Sequence, residues 1–293
     1  YVRFKEDFGK TIVGFFYDEP DVPADWGAEV STVLTERGID WKKALVAYKF
    51  KLAGEEQIAA KYHYMDAFAE AWGRTMYGGI TEWCHKHNVE SIGHWIEHSW
   101  CYLTPWFCAG NMFQVLKYTD MGGIDMVCSQ ILPGKRDLSM DLMPKLASSI
   151  SHAYGKKDDR AMCEMFGAYG QNLTYPDMKW LTDLMQVWGV NFLIPHSFNP
   201  RSPRDLDCPP FFYNGGHEPR WPLYRVWADY NSRLSLMLTG GYHVCPVAFL
   251  FVGSSNNVGA VTPPEQMTRT MQEALFDCDW IPYDVFEQNT KLH

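Results

Sequence analysis

Five short, nearly continuous apolar runs, each followed by a longer stretch, constrain this chain more than any other feature. The runs span residues 11–17, 89–95, 124–129, 161–166 and 190–195. Each ends in polar residues or glycine, as buried parallel strands do when helices cover both faces of their sheet. Between them, residues 57–77, 143–154 and 175–187 repeat apolar positions at helical spacing. Thr174 and Pro176 supply an opening signal for the last of these helices, and Gly189 a stop. Alternating strands and helices specify a parallel sheet or barrel. A helix over 223–238, a strand over 242–252 and a helix over 264–276, opened by Pro263-Pro264, complete the pattern.

The connections are uneven. Residues 18–81 leave room for an insertion after the first strand. Residues 199–221, rich in proline, glycine and aromatics, read as an ordered loop over a site. The five strand–helix units end near Leu238, so the 293 residues cannot supply the eight strands of a closed barrel. The fold expected is therefore α/β: strands 4 to 8 of a (β/α)8 TIM barrel over residues 1–241, then the start of a second α/β domain over 242–293. With Tyr1 at its head and no signal-peptide pattern, the chain reads as processed or as part of a longer parent with further domains.

Composition removes several classes of function. Lys and Arg number 26 against 35 Asp and Glu, and no basic run occurs, which argues against a nucleic-acid partner. The longest apolar stretch is broken by Pro246 and is too short to span a bilayer, so no membrane partner is expected. None of the 8 Cys falls in a C-x-x-C pair. Aromatic residues reach 15%, with 12 Trp, enough to furnish a core and also a cleft whose ring faces receive a sugar.

In a parallel barrel the catalytic groups come from the carboxyl ends of the strands. Here those ends read Asp18-Glu19-Pro20, His94-Trp95-Ile96-Glu97-His98, Ser129-Gln130, Glu164 with Phe166-Gly167, and His196-Ser197-Phe198-Asn199. Glu19 and Glu164 are the carboxylate pair to weigh, because glycoside hydrolysis needs one carboxyl group to protonate the leaving oxygen and another on the opposite face. Glu97 is a third candidate. Asp18, His94, Trp95, Gln130, Tyr169, His196, Asn199 and Phe212 are candidate substrate contacts. No metal ligand is assigned from the residues themselves. Some of these groups will only cap loops, and many of the rings will only pack, but five polar strand ends together exceed what capping requires.

The segment His94-x-x-Glu97-His98 has a rival reading. It fits the inverted zinc-peptidase pattern, with two imidazoles one helical turn apart and a glutamate as general base. Gly93 and the β-branched Ile92 and Ile96 argue for strand and loop there instead.

Asp18-Glu19-Pro20 resembles the Asn-Glu-Pro motif of the large clan of barrel glycosidases, with Asp in place of Asn. The wider pattern is more specific. Phe16-Tyr17-Asp18-Glu19-Pro20, Gly93-His94, residues 160–170, 178–183 and 189–198, Asp229-Tyr230-Asn231-Ser232-Arg233-Leu234-Ser235 and Gly241-Tyr242-His243-Val244 resemble glycoside hydrolase family 106, the α-L-rhamnosidases, and its relatives. The resemblance implies a (β/α)8 catalytic domain in a larger secreted or periplasmic enzyme. It also implies action on plant or microbial polysaccharide, inversion of configuration and calcium at the site. By that likeness Glu19 is the acid and Glu164 a catalytic carboxylate. The expected function is thus cleavage of a terminal sugar from a carbohydrate substrate. The alternatives are a zinc metallopeptidase and a non-catalytic carbohydrate-binding relative.

Overall fold

Four of the five apolar runs contain a strand, and the run over 124–129 holds the last three residues of one that begins at Gly122. The computed structural model describes residues 1–20, 26–50, 52–95, 109–136, 138–201, 208–241 and 243–289. In chain order these form β1 (Gly14–Tyr17), α1 (Ala28–Glu36), α2 (Trp41–Phe50), α3 (Glu55–Trp72), α4 (Gly79–Lys86), β2 (Glu90–Gly93), α5 (Met112–Leu116) and β3 (Gly122–Met126). Then come β4 (Ile131–Leu132), β5 (Lys135–Arg136), α6 (Met143–Ala153), β6 (Ala161–Met165), α7 (Tyr175–Val187), β7 (Phe192–Pro195) and α8 (Trp221–Met237). The last are β8 (Ala248–Phe251), α9 (Pro264–Glu273), β9 (Asp279–Pro282) and α10 (Tyr283–Asn289). β1 pairs with β2 in parallel, and β3, β6 and β7 form a second parallel sheet in that order. The parallel α/β class expected from the runs is therefore present. The strand expected over 242–252 narrows to β8, and residue 242 lies outside the described residues.

The chain forms two compact units. The first comprises Tyr1–Asp120, Phe249–Pro263 and Trp280–His293; the second comprises Met121–Ala248 and Pro264–Asp279. In the first, α1, α2 and α3 bury Val30, Val33, Leu34, Ala44, Ala47, Tyr64, Met65 and Phe68. The Tyr48 and Tyr64 rings stack at 4.4 Å between α2 and α3. Arg37, which closes α1, bonds Asp66 at 2.9 Å and Glu70 on α3, so a charged clamp holds the two helices in register. These helices fill the long connection after the first strand.

In the second unit β3 is buried at every position, as a strand covered on both faces must be. Gly122 explains how α6 lies so close to it. A Cβ there would meet the Ala147 carbonyl oxygen at 2.1 Å, so no other residue fits. Leu146, Ala147 and Ile150 of α6 are fully buried in that unit, as are Met162, Cys163 and Met165 of β6. α7 starts as its sequence signal predicts. The Thr174 hydroxyl accepts the Asp177 N–H at 3.2 Å and the Asp177 carboxylate returns a bond to Thr174, with Pro176 in the first turn. Gly189 ends the helical stretch at φ +89°, a conformation costly for a residue with a Cβ.

Candidate active site

Glu164 occupies the fourth position of β6, near the carboxyl end of the second unit's sheet. His196 follows β7 directly, and its backbone N–H donates to the Met165 carbonyl at 2.8 Å, which fixes where the ring begins. His196 Nδ1 then lies 3.0 Å from Glu164 Oε1, with both side chains mostly shielded. On its far side His196 Nε2 lies 3.7 Å from the Cys208 sulfur. Asp125 of β3 stands in register with Glu164. Partners in a parallel ladder project to the same face, and carboxyl oxygens of the two residues lie within 4.8 Å of each other. The strand-end pattern of the sequence does not single out Asp125. A charged residue inside an apolar strand, Gly122-Gly123-Ile124-Asp125-Met126, is the signal that would have found it.

Cys163, next to Glu164, does not compete as a nucleophile. Burial first, then the nearby Asp125 and Glu164 charges, push its thiol well above the ordinary value, so it stays protonated and unreactive.

The remaining candidates sit around this pair in different ways. Gln130 turns its carbonyl back to the Val127 N–H at 3.4 Å. The Tyr169 hydroxyl donates to the Ile131 carbonyl at 2.9 Å, and its ring is buried, which raises the phenol. Phe212 is buried with its ring against Phe166 and Tyr224. Asn199 accepts the Ser197 hydroxyl at 2.6 Å. The more accessible rings of this loop are Phe198, 47% exposed, and half-buried Phe211, Tyr213 and Trp221.

In the first unit the carboxyl ends of β1 and β2 bring together Asp18, Glu19 and His94. His94 is fully buried and its Nε2 lies 3.6 Å from Asp18 Oδ1, while Asp18 and Glu19 are exposed. His94 follows the end of a strand and Trp95 packs in the core beside it. Glu97 and His98, with Trp100 and Trp106, lie outside the described residues. One donor atom from each of Asp18, Glu19 and His94 falls within a 4.8 Å cluster. Calcium takes six to eight oxygen ligands. Among the described residues, Asp18 and Glu19 would supply carboxylate oxygens to part of such a shell.

A second cluster lies at the amino ends of the second unit's strands. Lys145 of α6 is fully buried, with Nζ 2.9 Å from Asp277 Oδ1 and 3.3 Å from Asp279 Oδ1. His152, at the end of α6, bonds Asp279 Oδ2 through Nδ1 at 2.9 Å. His243 Nε2 lies 3.2 Å from Asp277 Oδ2 and 3.6 Å from Asp279 Oδ2. Hydrogen bonds to Asp277 and then Cys245 raise His243 to about 9. Burial opposes the charge of Asp279, yet the bond from His152 and the Lys145 ammonium hold its carboxyl well below the usual range. His152 and His243 also line a cleft of about 720 Å³, along with Asp159, Gln186, Asn191 and Leu238. None of these residues was a candidate from sequence, because they meet only in the fold.

No protein-family profile matches the chain, and no curated protein matches it. Among solved structures it is similar to a rhamnosidase from Novosphingobium sp. PP1Y, with a TM-score of 0.71 and 19% identity, over 97% of this chain. The chain spans 27% of the length of that protein. At such identity the likeness shows the fold alone, an α/β fold with parallel sheets similar to that of a rhamnosidase.

Proposed function

We propose that this chain is part of the catalytic barrel of a glycoside hydrolase that removes a terminal sugar from a plant or microbial polysaccharide. Its five parallel strands are strands 4 to 8 of that barrel. The observation that carries this reading is Glu164, held by His196 at the carboxyl end of a parallel sheet, in a fold similar to that of a rhamnosidase. Parallel α/β sheets gather their chemistry at that end.

In this reading Glu19 protonates the glycosidic oxygen as the bond to the anomeric carbon breaks. Glu164 acts on the opposite face, taking a proton from the attacking water if configuration inverts, or attacking the anomeric carbon if it is retained. His196 bonds Oε1 of Glu164 and orients the carboxylate. The exposed rings of the 198–221 loop receive the C–H face of the sugar. The sugar itself, a rhamnose or another hexose, and a secreted or periplasmic location belong to the same proposal. Among the described residues no helix is long and apolar enough to cross a membrane.

The test is a screen of aryl-glycosides and pectic oligosaccharides, with the anomer of the first product read by NMR. Turnover that is lost in both Glu19→Gln and Glu164→Gln supports the carboxylate pair. Binding without turnover by the unaltered protein would instead favour a non-catalytic carbohydrate binder. Peptide hydrolysis dependent on stoichiometric zinc would favour the peptidase reading of His94, Glu97 and His98.

A further inference from the structure

We propose that His152, His243 and Asp279, with Asp277 and Cys245 beside His243, form a binding site for a divalent transition-metal ion of the zinc class. It lies at the amino ends of β6 and β7, apart from Glu164.

The donor set is already converged. One ligating atom from each of His152, His243 and Asp279 falls within 4.8 Å of the others, and the same holds for His243, Cys245 and Asp277. The individual spacings are 2.9 Å from His152 Nδ1 to Asp279 Oδ2, 3.6 Å from His243 Nε2 to that same oxygen, and 3.2 Å from His243 Nε2 to Asp277 Oδ2. Ligand bonds of about 2.0–2.1 Å in a tetrahedron put neighbouring donors about 3.3 Å apart, and the three spacings bracket that edge.

The carboxylates are also held as outer groups hold metal ligands. Lys145 binds Oδ1 of both aspartates, and the Ser149 hydroxyl donates to Oδ1 of Asp279 at 3.1 Å. Their Oδ2 atoms are therefore the ones turned toward the imidazoles. Partners of this kind fix the direction of a ligand's free lone pair. Lys145 offsets one of the two negative charges, and a metal ion that takes the place of the proton on His243 meets the remaining one.

Donor chemistry selects the ion. Two imidazoles, carboxylate oxygen and a nearby thiol suit zinc and its neighbours in the first transition row, whereas calcium and magnesium take oxygen shells. Solvent reaches the imidazoles through the cleft that both line. The two rings now lie face to face, with centroids 4.2 Å apart and planes 22° from parallel. A shared metal needs each nitrogen aimed along its own ring plane, so loading turns the rings out of the stack, and that rotation provides a signature.

The experiment is a titration of the whole protein, histidine-labelled with ¹⁵N and dialysed against chelator, with zinc chloride. The expected result is saturable movement of the His152 and His243 ring-nitrogen resonances, complete at one equivalent, while those of His196 stay in place. Competition with a chromogenic chelator then gives affinity. Loss of an outer-shell partner weakens metal binding by about 10–100-fold, and His243→Ala is expected to weaken it by more. The proposal is overturned if neither resonance moves, if zinc moves only other histidines, or if folded His152→Ala and His243→Ala bind as tightly as the parent. Should both variants fail to fold, the resonances of the unaltered protein decide alone.

Discussion

The two ends of the sheet β3–β6–β7 use backbone and charge differently. Before β6 the residues in left-handed conformation are Asp158 and Asp159, and before β7 there is Gly189, all types that adopt it at little cost. After β3 and β6 the left-handed residues include Cys128, Phe166 and Ala168, for which it costs about 1–2 kcal/mol each. Strain of that kind persists where the surroundings hold it for a purpose, and it gathers around Glu164 and His196. The charges differ too. At the amino end Lys145 bridges two aspartates and two histidines close the cluster, whereas at the carboxyl end the acids Asp125 and Glu164 stand side by side with one imidazole. One end is a network of compensated charges, and the other sets two acids beside a single imidazole, as the proposed catalytic role requires.

That contrast can be broken most directly at Lys145. Replacing it with Met removes the buried ammonium that both carboxylates share, and loss of one partner in a buried ion pair typically costs about 3–5 kcal/mol. Chemical denaturation of Lys145→Met is expected to show a loss of that order. A loss under about 1 kcal/mol would mean the cluster is only a solvated group of charges.

The second test uses pH on chelator-treated protein, so that no metal intervenes. His243 is raised to about 9, mainly by the hydrogen bond to Asp277, against about 6.5 in an unfolded chain. A raised value stabilises fully below about 6.5 and the contribution fades as pH climbs through 9. Because the side chain keeps 25% of its exposure, about 1–2 kcal/mol is expected to disappear across that window. Thermal melts at several pH values should show the slope, and His243→Gln should flatten it. An unchanged slope in that variant would assign the effect elsewhere.

The smallest effect sharpens the backbone half of the comparison. Ala168→Gly, at φ 53°, is expected to raise stability by roughly 0.5–1 kcal/mol, while Asp158→Gly, at φ 58°, should change it little. Equal responses would remove the distinction between the two ends.

Much of this fold was legible because its signals are local. The five apolar runs each overlap a strand, Thr174 and Pro176 open α7, and Pro264 opens α9, since period and capping act over a few residues. Residues 28–50 were less legible. α1 and α2 are held by burial against α3 and by the Arg37 bonds to Asp66 and Glu70, partners 29 and 33 positions away. At the candidate site, Glu164 and His196 were readable as strand ends, but Asp125 lay hidden inside an apolar run. The amino-end cluster was hidden most completely. Lys145, His152, His243, Asp277 and Asp279 have no common motif, and only tertiary contacts among α6, the segment before β8 and the start of β9 bring them together.

The most direct measurement is kcat/KM and unfolding free energy for Glu164→Gln in one preparation, on whichever glycoside the unaltered protein turns over. General acid–base groups contribute about 10²–10⁴-fold to rate. The account predicts a fall in kcat/KM of at least that order, with stability unchanged or slightly increased, as expected for a residue kept for chemistry. Retained activity, or a loss of stability that accounts for the lost activity, would contradict it.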